Sequence, residues 1–331
     1  MWWVAKSLAK SFVIKVRAVM GPEEKDVKDE VLLGRTVRWK EWGIEWEADE
    51  KHRRLLLERY GLQEGSKALK VNGPMEEFKR DVEREQEEEL TREEATEYRA
   101  AVARLNFLAQ DSPDLQFPAK VLAADMAKPT RGSWCRFKKV VRYLVGRRAV
   151  VWEFKWQTLE EAQELVVFTD ADWGGDRRSR KSTSGGMVMR GRHCLRTWSS
   201  TQGAIALSTA ESELYSMIDG VVKAKGVRST LIELGLLQET VVIKLKVDSA
   251  AAKSFISRRG SGRMRHIELR DLWIQKEVGE GKVRVSKVAG ARNPADVGTK
   301  FLSVDELRDK LGLVNLRLQW HSPSGGGSAG S

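Results

Sequence analysis

Cysteine is almost missing from this chain: Cys135 and Cys194 are the only two in 331 residues. A disulfide framework is thereby excluded. No C-x-x-C pair exists and the four histidines are scattered, so a zinc site is not expected either. So few thiols fit a reduced, intracellular compartment. No apolar run is long enough to span a bilayer, and no membrane partner is expected. Acids are lacking from the first twenty-two residues, which carry Lys6, Lys10, Lys15 and Arg17. That composition resembles a transit peptide, but Trp2, Trp3, Leu8, Phe12 and Val16 also suit a packed amphipathic helix, which is the preferred expectation.

What is abundant is charge. Lys and Arg number 58 against 47 Asp and Glu, a formal net charge of +11. Such a surplus favours a polyanionic partner, nucleic acid being the commonest. Hydrophobic residues make up 41%, enough to bury a sizeable core, and the length allows two domains.

Four regions and a tail follow from the pattern. Residues 1–63 read as a small α/β unit, with a strand over Val31–Trp39, a turn at Glu41–Gly43, a returning strand over Ile44–Glu47 and a helix from Lys51 to Tyr60 that Asp49 caps. Residues 64–97 are broken by Gly73-Pro74 and then dominated by glutamate, an acidic linker or solvated helix. Residues 98–160 are helical. Their last helix, Trp134 to Leu144, presents Arg136, Lys138, Lys139 and Arg142, followed by Arg147 and Arg148, either a phosphate-tracking patch or a solvated face. Residues 161–320 alternate strands and helices. Residues 321–331 are rich in glycine and serine and are expected to be disordered.

Two strands of the 161–320 region end in an acid, Asp170 and Asp248. Glu213 falls on the first turns of a long helix and Asp296 at the start of the last one. Ligand sites in α/β sheets gather at such strand ends. Four carboxylates converging in a cleft need cationic compensation. Magnesium supplies it and leaves positions open for phosphate oxygens. Two such ions, about 3.5–4 Å apart, would suit an in-line displacement at phosphorus. Glu211 competes with Glu213, and Asp172 and Asp176 compete with Asp170. The bland alternative is that all these acids cap helices or end strands at the surface.

The residues also carry a resemblance. Thr169-Asp-Ala-Asp-Trp-Gly-Gly-Asp176 with Arg180-Lys-Ser-Thr-Ser-Gly185 is similar to the opening of the RNase H domain of Ty1/copia-type retrotransposon Pol polyproteins. So are Trp198-Ser-Ser200, Ala206-Leu-Ser-Thr-Ala-Glu-Ser-Glu213, Val247-Asp-Ser249, Arg265-His-Ile-Glu268 and Asn293-Pro-Ala-Asp296 running into Thr299-Lys300. These motifs cover about 165–302 in order. Weaker similarity upstream links 1–63 and 98–160 to the reverse-transcriptase region that follows the polymerase palm.

The resemblance implies an α/β fold whose RNase H-like mixed five-stranded sheet is flanked by helices, behind a smaller α/β and helical region. It implies an endonuclease that hydrolyses the RNA strand of RNA–DNA hybrids. Asp170, Glu213, Asp248 and Asp296 match the four metal-binding acids, holding two Mg2+ ions or, alternatively, Mn2+. Arg177, Arg178, Arg180, Lys181, Ser182 and Thr183, with Arg258, Arg259, Arg263 and Arg265, are the expected contacts to the hybrid backbone. The polymerase's paired-aspartate hairpin is absent from these residues, so reverse transcription is not expected of this chain alone, and the missing polymerase part is a candidate partner. The family's polar residues after the third acid are replaced by Ala250, Ala251 and Ala252, and Leu272-Trp273 stands where a second histidine is common. The loop just before Asp296 has no histidine, where many cellular RNases H place one to assist product release, and this points to slow turnover. The alternative is a remnant that binds nucleic acid without cutting it.

Overall fold

The computed structural model describes residues 19–63, 65–73, 88–176, 178–260 and 272–321. The N-terminal amphipathic segment, most of the acidic stretch, the Arg265–Glu268 motif and the glycine-rich tail lie outside the described residues.

Among the described residues, two five-stranded sheets organise the fold. The first begins with β1 (Asp29–Leu32), β2 (Arg35–Lys40) and β3 (Gly43–Ala48). The single strand expected over Val31–Trp39 is instead a hairpin. Leu33 and Gly34 both take positive φ, 51° and 73°, and pair Leu32 with Arg35 across a two-residue turn. Such turns match strand twist and favour glycine. Helix α1 (Lys51–Arg59) follows, with Asp49 accepting from the Lys51 amide.

Three helices come next: α2 (Arg92–Ala109), α3 (Pro113–Ala124) and α4 (Arg131–Gly146). Helix α2 starts at the end of the acidic stretch, because Thr91 and Glu94 form a capping box, which satisfies amide groups the helix leaves open. Pro113 opens α3, its missing N–H costing nothing at the first turn. Strand β4 (Arg147–Lys155) then joins β3, and β10 (Leu316–Trp320), from the far end of the chain, pairs with β4. The first sheet therefore draws strands from both sides of the expected 160/161 boundary.

Arg147, expected in a surface patch, is fully buried. Its guanidinium donates from Nε and Nη2 to both oxygens of Asp114 at 3.0 Å, and Tyr143 donates to the same carboxylate at 2.7 Å. Asn72 donates to the Asp114 carbonyl and accepts from the Leu302 amide, each at 2.8 Å. This buried ionic knot ties the helical region to the loop leading into the last helix.

The second sheet has the order β7-β6-β5-β8-β9. Its members are β5 (Leu165–Asp172), β6 (Thr183–Arg190), β7 (His193–Thr201), β8 (Ile243–Val247) and β9 (Val283–Lys287). The first three are antiparallel, while β8 and β9 are added in parallel. This is the mixed five-stranded sheet expected from sequence. Helix α5 (Thr209–Glu233) crosses one face, α6 (Ala250–Ile256) and α7 (Trp273–Gly279) connect β8 to β9, and α8 (Val304–Gly312) precedes β10. The last helix, expected to begin near Asp296, is split into a 3-10 turn over Pro294–Gly298 and α8, because Ser303 caps a new start.

Alternation along β5 explains its run of apolar residues. Leu165 and Val167 enter the core shared with Leu214, Met217 and Val221 of α5, whereas Val166 and Phe168 pack on the core shared with the helical region. Successive side chains point to opposite faces, and here both faces are covered.

Candidate active site

The carboxylates converge because β5 and β8 are parallel neighbours. Asp170 and Asp248 each lie two residues beyond the paired residues Phe168 and Lys246. Helix α5 brings Glu213 to them. Its N-cap, Ser208, accepts from the Glu211 amide at 3.2 Å. Close approach of helix to sheet is permitted by Gly220, where a Cβ would lie 2.3 Å from the Thr169 methyl. Ser216, one turn after Glu213, donates to the Asp170 carbonyl at 2.6 Å. As a result, one carboxylate oxygen from each of Asp170, Glu213 and Asp248 lies within 4.8 Å of the other two. Asp170 and Glu213 are buried and Asp248 is half-buried.

The competing acids are used elsewhere. Glu211 accepts from the Leu207 amide at 2.8 Å and from the Tyr215 hydroxyl at 2.7 Å, folding back on its own helix start. Asp172 accepts from the Thr183 amide at 2.8 Å, and Asp176 accepts from Ser179 and from the Arg178 amide. Both organise the loop between β5 and β6.

Asp296 sits beside the triad, outside the group whose oxygens converge. Its two oxygens accept from Lys300 and Lys310, each at 2.6 Å. Lys300 also lies 3.5 Å from Oδ2 of Asp170, so one ammonium spans two of the four expected acids. The loop is pinned to β5 by Asn293, which donates to the Thr169 carbonyl at 3.0 Å, and by Thr299, whose hydroxyl donates to Asp170. Thr299, Lys300 and Lys310 had no assigned role in the sequence reading; the first two are legible only as residues three and four after Asp296.

The electrostatics are those of crowded, buried acids. Burial, reinforced by the charges of Asp170 and Asp248, pushes Glu213 up to about 9. Burial likewise pushes Asp170 up to about 7, with Lys300 opposing and Asp296 reinforcing. Lys300 is raised, since Asp170 and Asp296 together outweigh its own burial. One oxygen of Glu213, Oε2, is buried with no hydrogen-bond partner. A buried carboxylate oxygen without a partner, on a residue that converges with two other acids, fits a hard divalent cation, whose preferred ligands are oxygens.

The expected nucleic-acid contacts divide. Arg180, Arg258 and Arg259 are exposed and Lys181 is half-buried. Arg178 is exposed but ion-paired with Asp125 at 2.9 Å. Ser182 is buried and accepts from the Gly174 amide at 3.0 Å, and Thr183 accepts from Lys120 at 2.5 Å. Ser182 therefore holds the loop to itself, and Thr183 ties it to the helical region through Lys120. Arg177, Arg263 and Arg265 lie outside the described residues. The basic residues along α5 are engaged as well: Lys223 with Asp219, Lys225 with Glu277 at 2.7 Å, and Arg228 with the Val241 carbonyl.

A mixed sheet of this order, with three acids meeting at the ends of β5 and β8 and on the crossing helix, defines an RNase H-like domain. Comparison with known proteins adds its lineage. No family model matches the chain. It is 32% identical over 227 residues to the retrovirus-related Pol polyprotein from transposon RE2 of Arabidopsis thaliana, covering 67% of this chain and 15% of that protein. The corresponding RE1 polyprotein is 30% identical over 225 residues, with 67% and 15% covered. The polyprotein from transposon TNT 1-94 of Nicotiana tabacum is 27% identical over 317 residues, 95% of this chain and 22% of that protein. The chain is homologous to Ty1/copia-type retrotransposon Pol polyproteins over most of its length and spans about 15–22% of the length of these relatives. Among solved structures, RNase H1 from Halobacterium salinarum is 16% identical, covering 41% of this chain and 94% of its own, at a TM-score of 0.29. The compost-derived LC11 RNase H1 is 12% identical, with 41% and 93% covered, also at 0.29. Among the described residues, no helix is long and apolar enough to cross a membrane.

Proposed function

We propose that this chain carries an RNase H-type endonuclease that hydrolyses the RNA strand of an RNA–DNA hybrid. The observation supporting this most directly is the convergence of Asp170, Glu213 and Asp248, with Glu213 Oε2 left partnerless. These three acids would hold the divalent ions, Mg2+ or Mn2+, and Asp296 is the fourth candidate ligand. When bound, the ions supply Lewis acidity and charge neutralisation for in-line attack on a phosphodiester. The protein's own contribution is placement. Thr299 orients the Asp170 carboxylate, Ser216 fixes its backbone, and burial keeps Glu213 ready to exchange its proton for a cation.

A hybrid is read through its backbone and its 2′-hydroxyls. Arg180, Lys181, Arg258 and Arg259 are the accessible described residues assigned to phosphates, with Arg177, Arg263 and Arg265 as further candidates. Arg178, Ser182 and Thr183 would act through the loop they stabilise.

The test is cleavage of a labelled hybrid with Mg2+ by the parent chain and by Asp170→Asn. Cleavage in the parent and none in the variant is the expected result. Hybrid binding without cleavage in both would replace the nuclease reading with that of a binding remnant.

A further inference from the structure

Asp296 is the expected fourth ligand, yet both its oxygens are held by lysines. The two lysines are not equivalent. Lys310 is 10% exposed at its side chain and also donates to the Gly290 carbonyl at 2.6 Å, so it is fixed by the fold. Lys300 is 48% exposed, reaches Asp296 from four residues on, and leans 3.5 Å from Asp170. Its ammonium stands between the two acids that a second divalent ion would have to share.

Building on the nuclease reading, we infer that Lys300 is the resident counter-cation of the Asp170–Asp296 half of the site and competes with a second divalent ion for it. The protein without nucleic acid then takes up one ion, through Asp170, Glu213 and Asp248. The second position opens only when Lys300 swings away. Its partial exposure permits that movement, and an arriving backbone phosphate gives the ammonium another anion to meet. Lys300 thus couples completion of the metal site to the presence of substrate, acting as a positioning residue. Asp248, near Gly290 across the cluster, stays free to serve the first ion.

The experiment is calorimetric titration of the full chain with Mn2+ alone, comparing parent, Lys300→Gln and Lys300→Arg. Thermal melts in chelator verify that each variant is folded; half-exposed Lys300 is not a core residue. The parent is expected to bind one ion and Lys300→Gln two, or the second ion's affinity to rise at least about tenfold, below the roughly thousandfold that a fixed unit charge about 4 Å away would impose at an effective dielectric near 20, because half-exposed Lys300 can swing aside. Lys300→Arg keeps the charge and should behave like the parent. One ion bound with the same affinity by the parent and Lys300→Gln would overturn this inference alone. No ion bound by either would overturn both it and the nuclease reading.

Discussion

Gly185 stands directly across the sheet from Asp170, and the loop carrying Asp296 packs on the space where its side chain would be. A Cβ at 185 would lie 2.8 Å from the Thr299 methyl and 2.9 Å from the Ala295 carbonyl oxygen. The backbone partner cannot rotate aside as a side chain could. Gly185→Ala should therefore displace the Asn293–Lys300 loop and cost about 1–3 kcal/mol, the usual range for overpacking. Hybrid cleavage should fall more than stability does, since Thr299 and Lys300 both touch Asp170. Gly203→Ala, where a Cβ meets nothing within 4 Å, is the control. Equal cleavage by the two variants would show that the loop's position does not matter.

The raised carboxyls make a directional statement about pH. In the metal-free protein Glu213 at about 9 and Asp170 at about 7 retain protons that the unfolded chain has released. Between roughly pH 4 and pH 9 the folded state binds more protons, so stability falls as pH rises through that window. Cation binding displaces those protons and becomes stronger as pH rises. The melting temperature in chelator should thus drop from about pH 6 to about pH 8.5, while the increase on adding Mg2+ should grow. In Glu213→Gln the Mg2+-induced increase should shrink markedly. A Mg2+ effect independent of pH in the parent would place the ion somewhere other than this cluster.

The acids were legible in the sequence because strand ends and a long helix start can be read from periodicity, and because the surrounding motifs are distinctive. Periodicity alone leaves Glu213 and Glu211 as rivals, since both fall on the first turns of the helix; the resemblance selects Glu213, and the hydrogen bonds of Glu211 to Leu207 and Tyr215 show its local use. The lysines were illegible for a different reason. Lys310 reaches Asp296 from another helix, across a loop whose path only the fold defines. Arg147 was misread as surface for a similar cause: nothing local announces that Asp114, thirty-three residues earlier, will meet it in the core. The Leu33-Gly34 turn was available in principle, but the apolar run on either side of it reads as one strand.

The Arg147–Asp114 pair yields a prediction about stability. Both side chains are excluded from solvent, so removing one leaves an uncompensated buried charge. Arg147→Met should destabilise the chain by about 3–5 kcal/mol in urea unfolding. Adding Asp114→Asn should recover part of that loss, because the stranded charge is then gone while the Asn72 bond to the residue 114 carbonyl remains available. Mg2+-dependent cleavage by the folded fraction should be little changed, as the knot lies in the helical region. A double variant less stable than Arg147→Met alone would contradict the buried-charge account.

The accessible arginines and lysine permit a quantitative test of the interface. Each phosphate neutralised contributes about 0.9 to the slope of log affinity against log salt on a B-form duplex, and a hybrid should be of similar scale. Neutralising Arg180, Lys181, Arg258 and Arg259 one at a time to Gln should lower that slope stepwise, by up to about 0.9 for each residue that contacts a phosphate. Arg178→Gln should lower it less, because its guanidinium is already committed to Asp125; its larger effect should be on the melting temperature, through the lost link between the β5–β6 loop and the helical region. Measured with a catalytically silent Asp170→Asn background, binding is separated from cleavage. Slopes unchanged by all four substitutions would move the hybrid to another face of the molecule.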